Sequence, residues 1–330
     1  MRRLIRTAAV VTAAALSLAA CGTTEPASDG ADKATDQIKL TDATGAKVTL
    51  DGPAKKVVGT EWNVVESLVS LGVDPVGVSD VKGYKTWDSV VPLKNTPKNT
   101  PKDIGTRGEP SMETIASLKP DLILATTDLP ASAVKQLKKV GPVLTVRPAD
   151  ASDPIGQMTE NLDLIAKATG KEKQAAALNK QFEAKIAAGK KKLDKAGLAG
   201  TKIAFADGYV ASNQVSIRPY TDGSLIGDVN KRLGLKNAWK MKGDKDYGLA
   251  TTDVEGLTGL GDDVQFAYIG GESSGDRDPF AKDLAKNAVW KSLPFVKAGD
   301  VHQLPDGIWM FGGPESMGAY IDALTDALTK

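Results

Sequence analysis

Apolar residues along this chain keep two alternating rhythms. Short apolar runs recur at Lys56-Val57-Val58-Gly59, Pro75-Val76-Gly77-Val78, Asp121-Leu122-Ile123-Leu124-Ala125 and Pro142-Val143-Leu144-Thr145-Val146. Runs of this length, bounded by Gly, Pro or Asp, predict buried strands. Between them the apolar spacing changes to threes and fours. Val64, Val65, Leu68, Val69 and Leu71 predict a helix over Asn63–Leu71 that Gly72 stops. Ser111 is placed to cap a second helix, Met112–Leu118, which ends at Lys119-Pro120. Strand, helix, strand in this order predicts a parallel sheet with right-handed crossovers. Ahead of it, Lys39–Leu50 predicts two short strands around a Thr44-Gly45 turn.

The middle of the chain is helical in pattern. Met158, Leu162, Ile165, Phe182, Ile186 and Leu193 follow helical spacing, and Gly170 either ends one helix or kinks a longer one. Gly197-Leu198-Ala199-Gly200 breaks the pattern and the strand rhythm resumes at Lys202–Ala206, Val264–Ile269 and Val301–Leu304. Helices are predicted near Gly223–Leu233, Ala281–Ser292 and Glu315–Leu328. The chain therefore reads as lobe, helical connector, lobe. A cleft between two α/β lobes is a natural small-molecule site, because loops from the strand ends of both sheets converge there.

The first residues have a different character. Arg2, Arg3 and Arg6 precede an apolar run from Ala8 to Ala20 broken only by Thr12 and Ser17. That is a charged region, a short apolar core and a small-residue cleavage site, too short to span a bilayer. Cys21, the only cysteine, follows directly, so Leu18-Ala19-Ala20-Cys21 resembles the lipobox of bacterial lipoproteins. The resemblance implies a signal peptide over 1–20, lipidation at Cys21 and a place outside the cytoplasm, held to the cell membrane. Residues 22–37 are small and polar and read as a flexible tether. Of the 42 basic residues three lie in the signal, which leaves 39 against 41 acidic. This balance argues against a nucleic-acid partner. His302 is the only histidine, so a multi-histidine metal site cannot be built and a Ser-His-Asp triad would rest on it alone.

Asp103–Ile115, with Ile104-Gly105-Thr106-Arg107, Pro110, Glu113 and Ile115, followed by Leu118, Pro120 and Asp121-Leu122-Ile123, resembles a signature of the substrate-binding lipoproteins of ABC importers for ferric siderophores, a family with cobalamin- and haem-binding relatives. Glu61-Trp62, Leu71–Val78, Trp290, Ala298–Val301, Trp309 and Gly312-Gly313-Pro314 fit the same family in order and spacing. The resemblance implies an α/β chain of two Rossmann-like lobes joined by a long connecting helix, the class III substrate-binding protein fold. It divides the sequence into signal (1–20), lipidated cysteine and tether (21–37), N-terminal lobe (38–153), helical connector region (154–197) and C-terminal lobe (198–330), the connector helix itself being placed at Pro154–Thr169. It implies a ferric siderophore as ligand, no intrinsic cofactor or protein-bound metal, no enzymatic activity, a monomeric receptor, and an ABC permease with its ATPase as partners.

Trp62, Tyr84, Trp87, Tyr209 and Trp309 stand at predicted strand-to-loop junctions, where aromatic surface can meet a ligand; a core role is the alternative for each. Arg107, in the signature, and Arg218 are the candidate cations, since a guanidinium fork suits the oxygen shell of a chelated ferric ion. With aromatics outnumbering cations, a neutral hydroxamate or mixed citrate-hydroxamate complex is favoured over a trianionic catecholate. The Lys82-Gly83-Tyr84 to Trp87 spacing resembles the hydroxamate branch. In the family one exposed glutamate per lobe docks onto permease arginines, which points to Glu113 and Glu255. Haem or cobalamin, with His302 or a tyrosine as axial ligand, and an extracytoplasmic enzyme built on Asp262-Asp263 or Asp276-Arg277-Asp278 are the rival readings.

Overall fold

The computed structural model describes residues 37–96, 99–211, 214–270 and 278–330. The predicted signal peptide, Cys21 and nearly all of the tether lie outside the described residues. No helix among those described is long and apolar enough to cross a membrane.

The N-terminal lobe begins with the predicted hairpin, β1 (Ile38–Thr41) and β2 (Lys47–Leu50), turned through Gly45 at φ +82°. There follow β3 (Val57–Gly59), α1 (Trp62–Ser70), β4 (Gly77–Val78), α2 (Val81–Trp87), β5 (Lys102–Asp103), α3 (Met112–Leu118), β6 (Leu122–Thr126), α4 (Ala131–Leu137) and β7 (Val143–Val146). Five strands form one parallel sheet in the order β5-β4-β3-β6-β7. Side chains alternate across it: Val57, Leu122 and Leu124 join the core on one face, Val58, Ile123 and Ala125 the core on the other. Burial on both faces is why these strands read as continuous apolar runs. Ser111 caps α3 as expected, its hydroxyl accepting from the Thr114 N–H.

Two helices follow, α5 (Pro154–Thr169) and α6 (Glu172–Lys195). Gly170 ends the first in the left-handed region at φ +66°, and a Cβ there would press on Pro53 at 3.0 Å. Both helices serve both lobes. In α5, Ile155 and Met158 belong to the C-terminal core while Leu162, Ile165 and Ala166 belong to the N-terminal one. In α6 the order reverses, with Ala175 and Leu178 in the N-terminal core and Phe182, Ile186 and Leu193 in the C-terminal one. Of the two readings left open at Gly170 the structure shows the first, so the connector helix Pro154–Thr169 is one arm of a helical hairpin that crosses between the lobes twice.

The C-terminal lobe contains β8 (Lys202–Ala211), β9 (Gln214–Pro219), α7 (Leu225–Arg232), β10 (Lys236–Asn237), β11 (Val264–Ile269), α8 (Ala288–Ser292), α9 (Pro294–Ala298), β12 (Val301–Leu304) and α10 (Pro314–Leu328). Its parallel strands run β10-β8-β11-β12, with β9 antiparallel to β8. Two expectations need correction here. The strand predicted at Lys202–Ala206 continues to Ala211 and turns back as a hairpin, with Asp207 opposite Arg218. The helix predicted over Ala281–Ser292 is instead two short turns, Pro279–Asp283 and Leu284–Lys286, before α8. Asn287 breaks it by capping α8, and Phe280 and Trp290, on either side of the break, both pack against Phe266.

Candidate functional site

Sheet order locates the site before any side chain is considered. In the N-terminal lobe the strand order reverses between β3 and β6, and in the C-terminal lobe between β8 and β11. Ligands of open parallel sheets bind beyond the carboxyl ends of such strands. A cavity of 430 Å³ lies there. Glu61 and Asn63 reach it from the end of β3, Thr126, Asp128 and Leu129 from the end of β6, and Arg107 and Gly108 from the signature loop. The other lobe contributes Arg218, Tyr247, Leu249, Trp309 and Phe311. A larger hollow of 680 Å³, at Pro53, Gly72–Val76 and Gly170, has no aromatic lining and sits at the opposite ends of β3 and β4.

Both arginines are held in place before any ligand arrives. Arg107 donates to Glu61 at 2.8 Å, and its guanidinium carbon lies 4.0 Å from the Trp62 ring centre and 5.4 Å from that of Trp309. Each such cation–π contact contributes about 0.5–1 kcal/mol in a partly exposed setting. Arg218 makes a two-pronged pair with Asp207 and lies 5.6 Å from the Phe311 ring. Glu61 also caps α1, accepting from the Trp62 N–H. The fork geometry leaves donors on each guanidinium free for a ligand oxygen, while the neighbouring carboxylate cancels the net charge. Trp309 Nε1 and Asn63 Oδ1 are buried and have no hydrogen-bond partner among the described residues.

The lobes touch across the cleft. Tyr247, in the segment after β10, donates its hydroxyl hydrogen bond to Asp128 just past the end of β6. Burial, and then this bond, hold the phenol well above its usual range. A second tie lies behind the aromatic wall, where the chain runs from Trp309 into α10. Glu66 on α1 accepts from the Ser316 N–H at 3.1 Å and from its hydroxyl at 3.0 Å. Asp88, just past α2, lies 3.5 Å from the same hydroxyl. Both carboxyls are fully buried, and no lysine or arginine among the described residues pairs with them. Burial pushes Glu66 up to about 7, against the downward pull of hydrogen bonds from Gly313 and Ser316. Burial and then the charge of Glu66 raise Asp88 well above its usual range. One carboxyl of the pair therefore holds a proton near neutral pH. Gly312 is needed for this close approach: a Cβ there would lie 2.1 Å from Glu66 Oε2.

The structure places the predicted residues unevenly. Arg107, Arg218 and Trp309 stand together on the cavity wall. Trp62 does not line the cavity: it is buried, its Nε1 donates to the Ser79 carbonyl, and it forms the platform beneath Arg107. Tyr84 belongs to the core and not to the cleft, wholly buried with its hydroxyl bonded to the Val91 carbonyl at 2.8 Å. Trp87 is half-buried at the end of α2 and packs against that same aromatic cluster. Tyr209 projects from the β8–β9 hairpin, 52 % exposed and off the cavity wall. Glu113, in the first turn of α3, and Glu255, opening the turn Glu255–Leu260, are both exposed and away from the cleft. His302 bonds through Nε2 to Gln265 at 2.6 Å within the sheet and is no part of the cavity. Glu61, Asn63, Asp128, Tyr247 and Phe311 escaped the sequence reading. The rule for strand-order reversals would have drawn attention to the first three; Tyr247 carries no local signal.

Comparison with known proteins decides the family. The family described as periplasmic binding protein matches residues 57–307, most of the chain and both lobes. The chain belongs to that family. Its relatives include the probable siderophore-binding lipoprotein YfiY of Bacillus subtilis, 27% identical over 91% of this chain and 90% of the relative. The putative ABC transporter substrate-binding lipoprotein YhfQ of the same organism is 30% identical, with 77% of each chain covered. Among solved structures, the siderophore-binding protein FhuD of Vibrio cholerae bound to Fe3+–Desferal superposes with a TM-score of 0.73, at 26% identity over 83% of this chain and 98% of that one. Periplasmic binding proteins of this kind are substrate-binding components, and the two-lobed architecture described above is theirs.

Proposed function

We propose that this periplasmic binding protein is the extracytoplasmic receptor of an ABC importer for ferric siderophores. It takes a neutral or weakly charged hydroxamate or citrate-hydroxamate complex into the 430 Å³ cleft. The observation that carries the reading is the state of the two cleft arginines. Each is already neutralised by a carboxylate, so the wall offers hydrogen-bond donors and aromatic faces without the surplus of positive charge that a trianionic catecholate complex needs. The siderophore named for YfiY and the Fe3+–Desferal complex named for the Vibrio FhuD support the ligand class. In this reading Cys21 is lipidated and tethers the receptor beside its permease, which raises its effective concentration there. Glu113 and Glu255, exposed on separate lobes, dock onto the permease.

One series tests this. Tryptophan fluorescence of the mature protein is expected to be quenched by ferric hydroxamates and left unchanged by haem and cobalamin. Reversing the charge at both Glu113 and Glu255 is expected to abolish uptake by cells while leaving this quenching intact. Tight binding of ferric catecholates with none of hydroxamates would overturn the ligand assignment. Loss of quenching in the charge-reversed variant would overturn the docking assignment.

A further inference from the structure

Charge on the described cleft wall does not sum to zero. Arg107 is matched by Glu61 and Arg218 by Asp207, and Asp128 remains as a third carboxylate. It forms no ion pair among the described residues, is exposed to the cavity, and accepts a hydrogen bond from Tyr247. No lysine among the described residues lines the cavity. Beside Asp128 stands an apolar and aromatic surface from Leu129, Tyr247 and Phe311, with the Tyr247 and Phe311 ring centres 5.4 Å apart. A carboxylate next to aromatic rings is the surrounding that favours an organic cation, through its charge and through the ring faces together.

We propose that the cleft selects ferric complexes of net positive charge, an uncharged tris-hydroxamate iron core bearing a free ammonium arm, and that Asp128 receives the arm. Three hydroxamates, each a monoanion, cancel the charge of the ferric ion. The paired arginines then serve the core's oxygens as donors without adding charge, and the remaining charge of the ligand is that of its arm. The arm displaces or shares the Tyr247 hydroxyl at Asp128. This rests on the ferric-siderophore reading above and narrows it to one charge class.

The test uses three ferric complexes with the mature protein: a linear tris-hydroxamate with a free terminal amine, the same molecule with that amine acetylated, and a tris-catecholate. The amine form is expected to bind about fivefold tighter than the acetylated one, equivalent to about 1 kcal/mol, the worth of one partly solvated ion pair. The preference shrinks as salt is raised. Asp128→Asn is expected to bring the two hydroxamates to parity, by weakening only the amine form. Tyr247→Phe removes the hydrogen bond but keeps the carboxylate, and is expected to keep the ratio between the two ligands. Equal binding of the two hydroxamates by the unaltered protein overturns the inference and leaves the siderophore reading standing. A ratio lost in Tyr247→Phe assigns the effect to the cross-cleft bond and overturns the role of Asp128. Binding of the tris-catecholate with neither hydroxamate overturns the hydroxamate assignment and the inference with it, and binding of none of the three overturns the siderophore reading itself.

Discussion

Two sets of carboxylates flank the segment from Trp309 to Gly313, and the protein handles them in opposite ways. On the cleft side Glu61 and Asp207 stay partly exposed and each meets an arginine. On the core side Glu66 and Asp88 are buried with no cation at hand among the described residues, and are met by a helix start while burial pushes both toward the protonated form. The difference follows from solvent. A carboxylate at the edge of the cleft keeps part of its hydration, so a half-exposed arginine beside it adds modest stability but fixes a guanidinium for use. A buried carboxylate has lost its hydration and must find hydrogen bonds or lose its charge. The first arrangement equips a surface for binding. The second joins residues 250 positions apart and locks the aromatic wall to α1.

This contrast can be broken at three points. The largest effect is expected from Glu66→Ala, which strands the N–H groups of Gly313 and Ser316 and the Ser316 hydroxyl in the core. Thermal unfolding should show a loss of about 3 kcal/mol, the scale of a broken buried network. A loss below about 0.5 kcal/mol would mean that the tie contributes nothing of note.

Next comes a pH effect, read as the slope of stability against pH. Glu66 is raised in the folded protein to about 7 from an ordinary 4.5, so the folded chain holds a proton that the unfolded chain releases earlier. Its contribution is fully present below about 4.5 and is lost as pH rises to about 7. Asp88, raised in the same direction, adds to the same slope. Melting temperature should therefore fall between pH 5 and pH 8. The double variant Glu66→Gln, Asp88→Asn should flatten that slope, and an unchanged slope would place the titration elsewhere.

The smallest effect on stability belongs to the cleft. Arg107→Gln should change unfolding free energy by less than about 1 kcal/mol, because its pair with Glu61 is partly exposed. Ligand affinity should fall about tenfold in the same variant, the worth of one charge-assisted hydrogen bond. Stability loss comparable to that of Glu66→Ala would erase the distinction between the two regions.

The helical hairpin belongs to the same account. With α5 and α6 each contributing to both cores, and with Glu66 gripping the start of α10, any movement of one lobe against the other must strain packed helices and a buried network. Hinge motion concentrates in a few loop or element-end residues, and here most links between the lobes are not of that kind. The Tyr247–Asp128 bond at the cleft is the contact best placed to open with little cost.

Much of this was legible locally. The apolar runs at Val57–Gly59, Leu122–Thr126 and Val143–Val146 are strands because their neighbours bury both faces, and Ser111 caps α3 because its hydroxyl reaches the Thr114 N–H. Arg107 and Trp309 were recognisable from the motifs that contain them. Tyr84 and Trp62 misled, since an aromatic residue near a strand end is equally suited to a core or to a cleft. Periodicity by itself determined two parallel-sheet lobes and a helical join, while the expectation of a place outside the cytoplasm rests on the resemblance of residues 18–21 to a lipobox. Only the tertiary structure decided which side chains meet. The cleft gathers Glu61, Arg107, Asp128, Arg218, Tyr247 and Trp309 from separate segments, and the Glu66 tie spans most of the chain. Local pattern is set by the bonds and neighbours of a few residues, whereas facing and pairing are set by sheet order and lobe packing, which no short window contains.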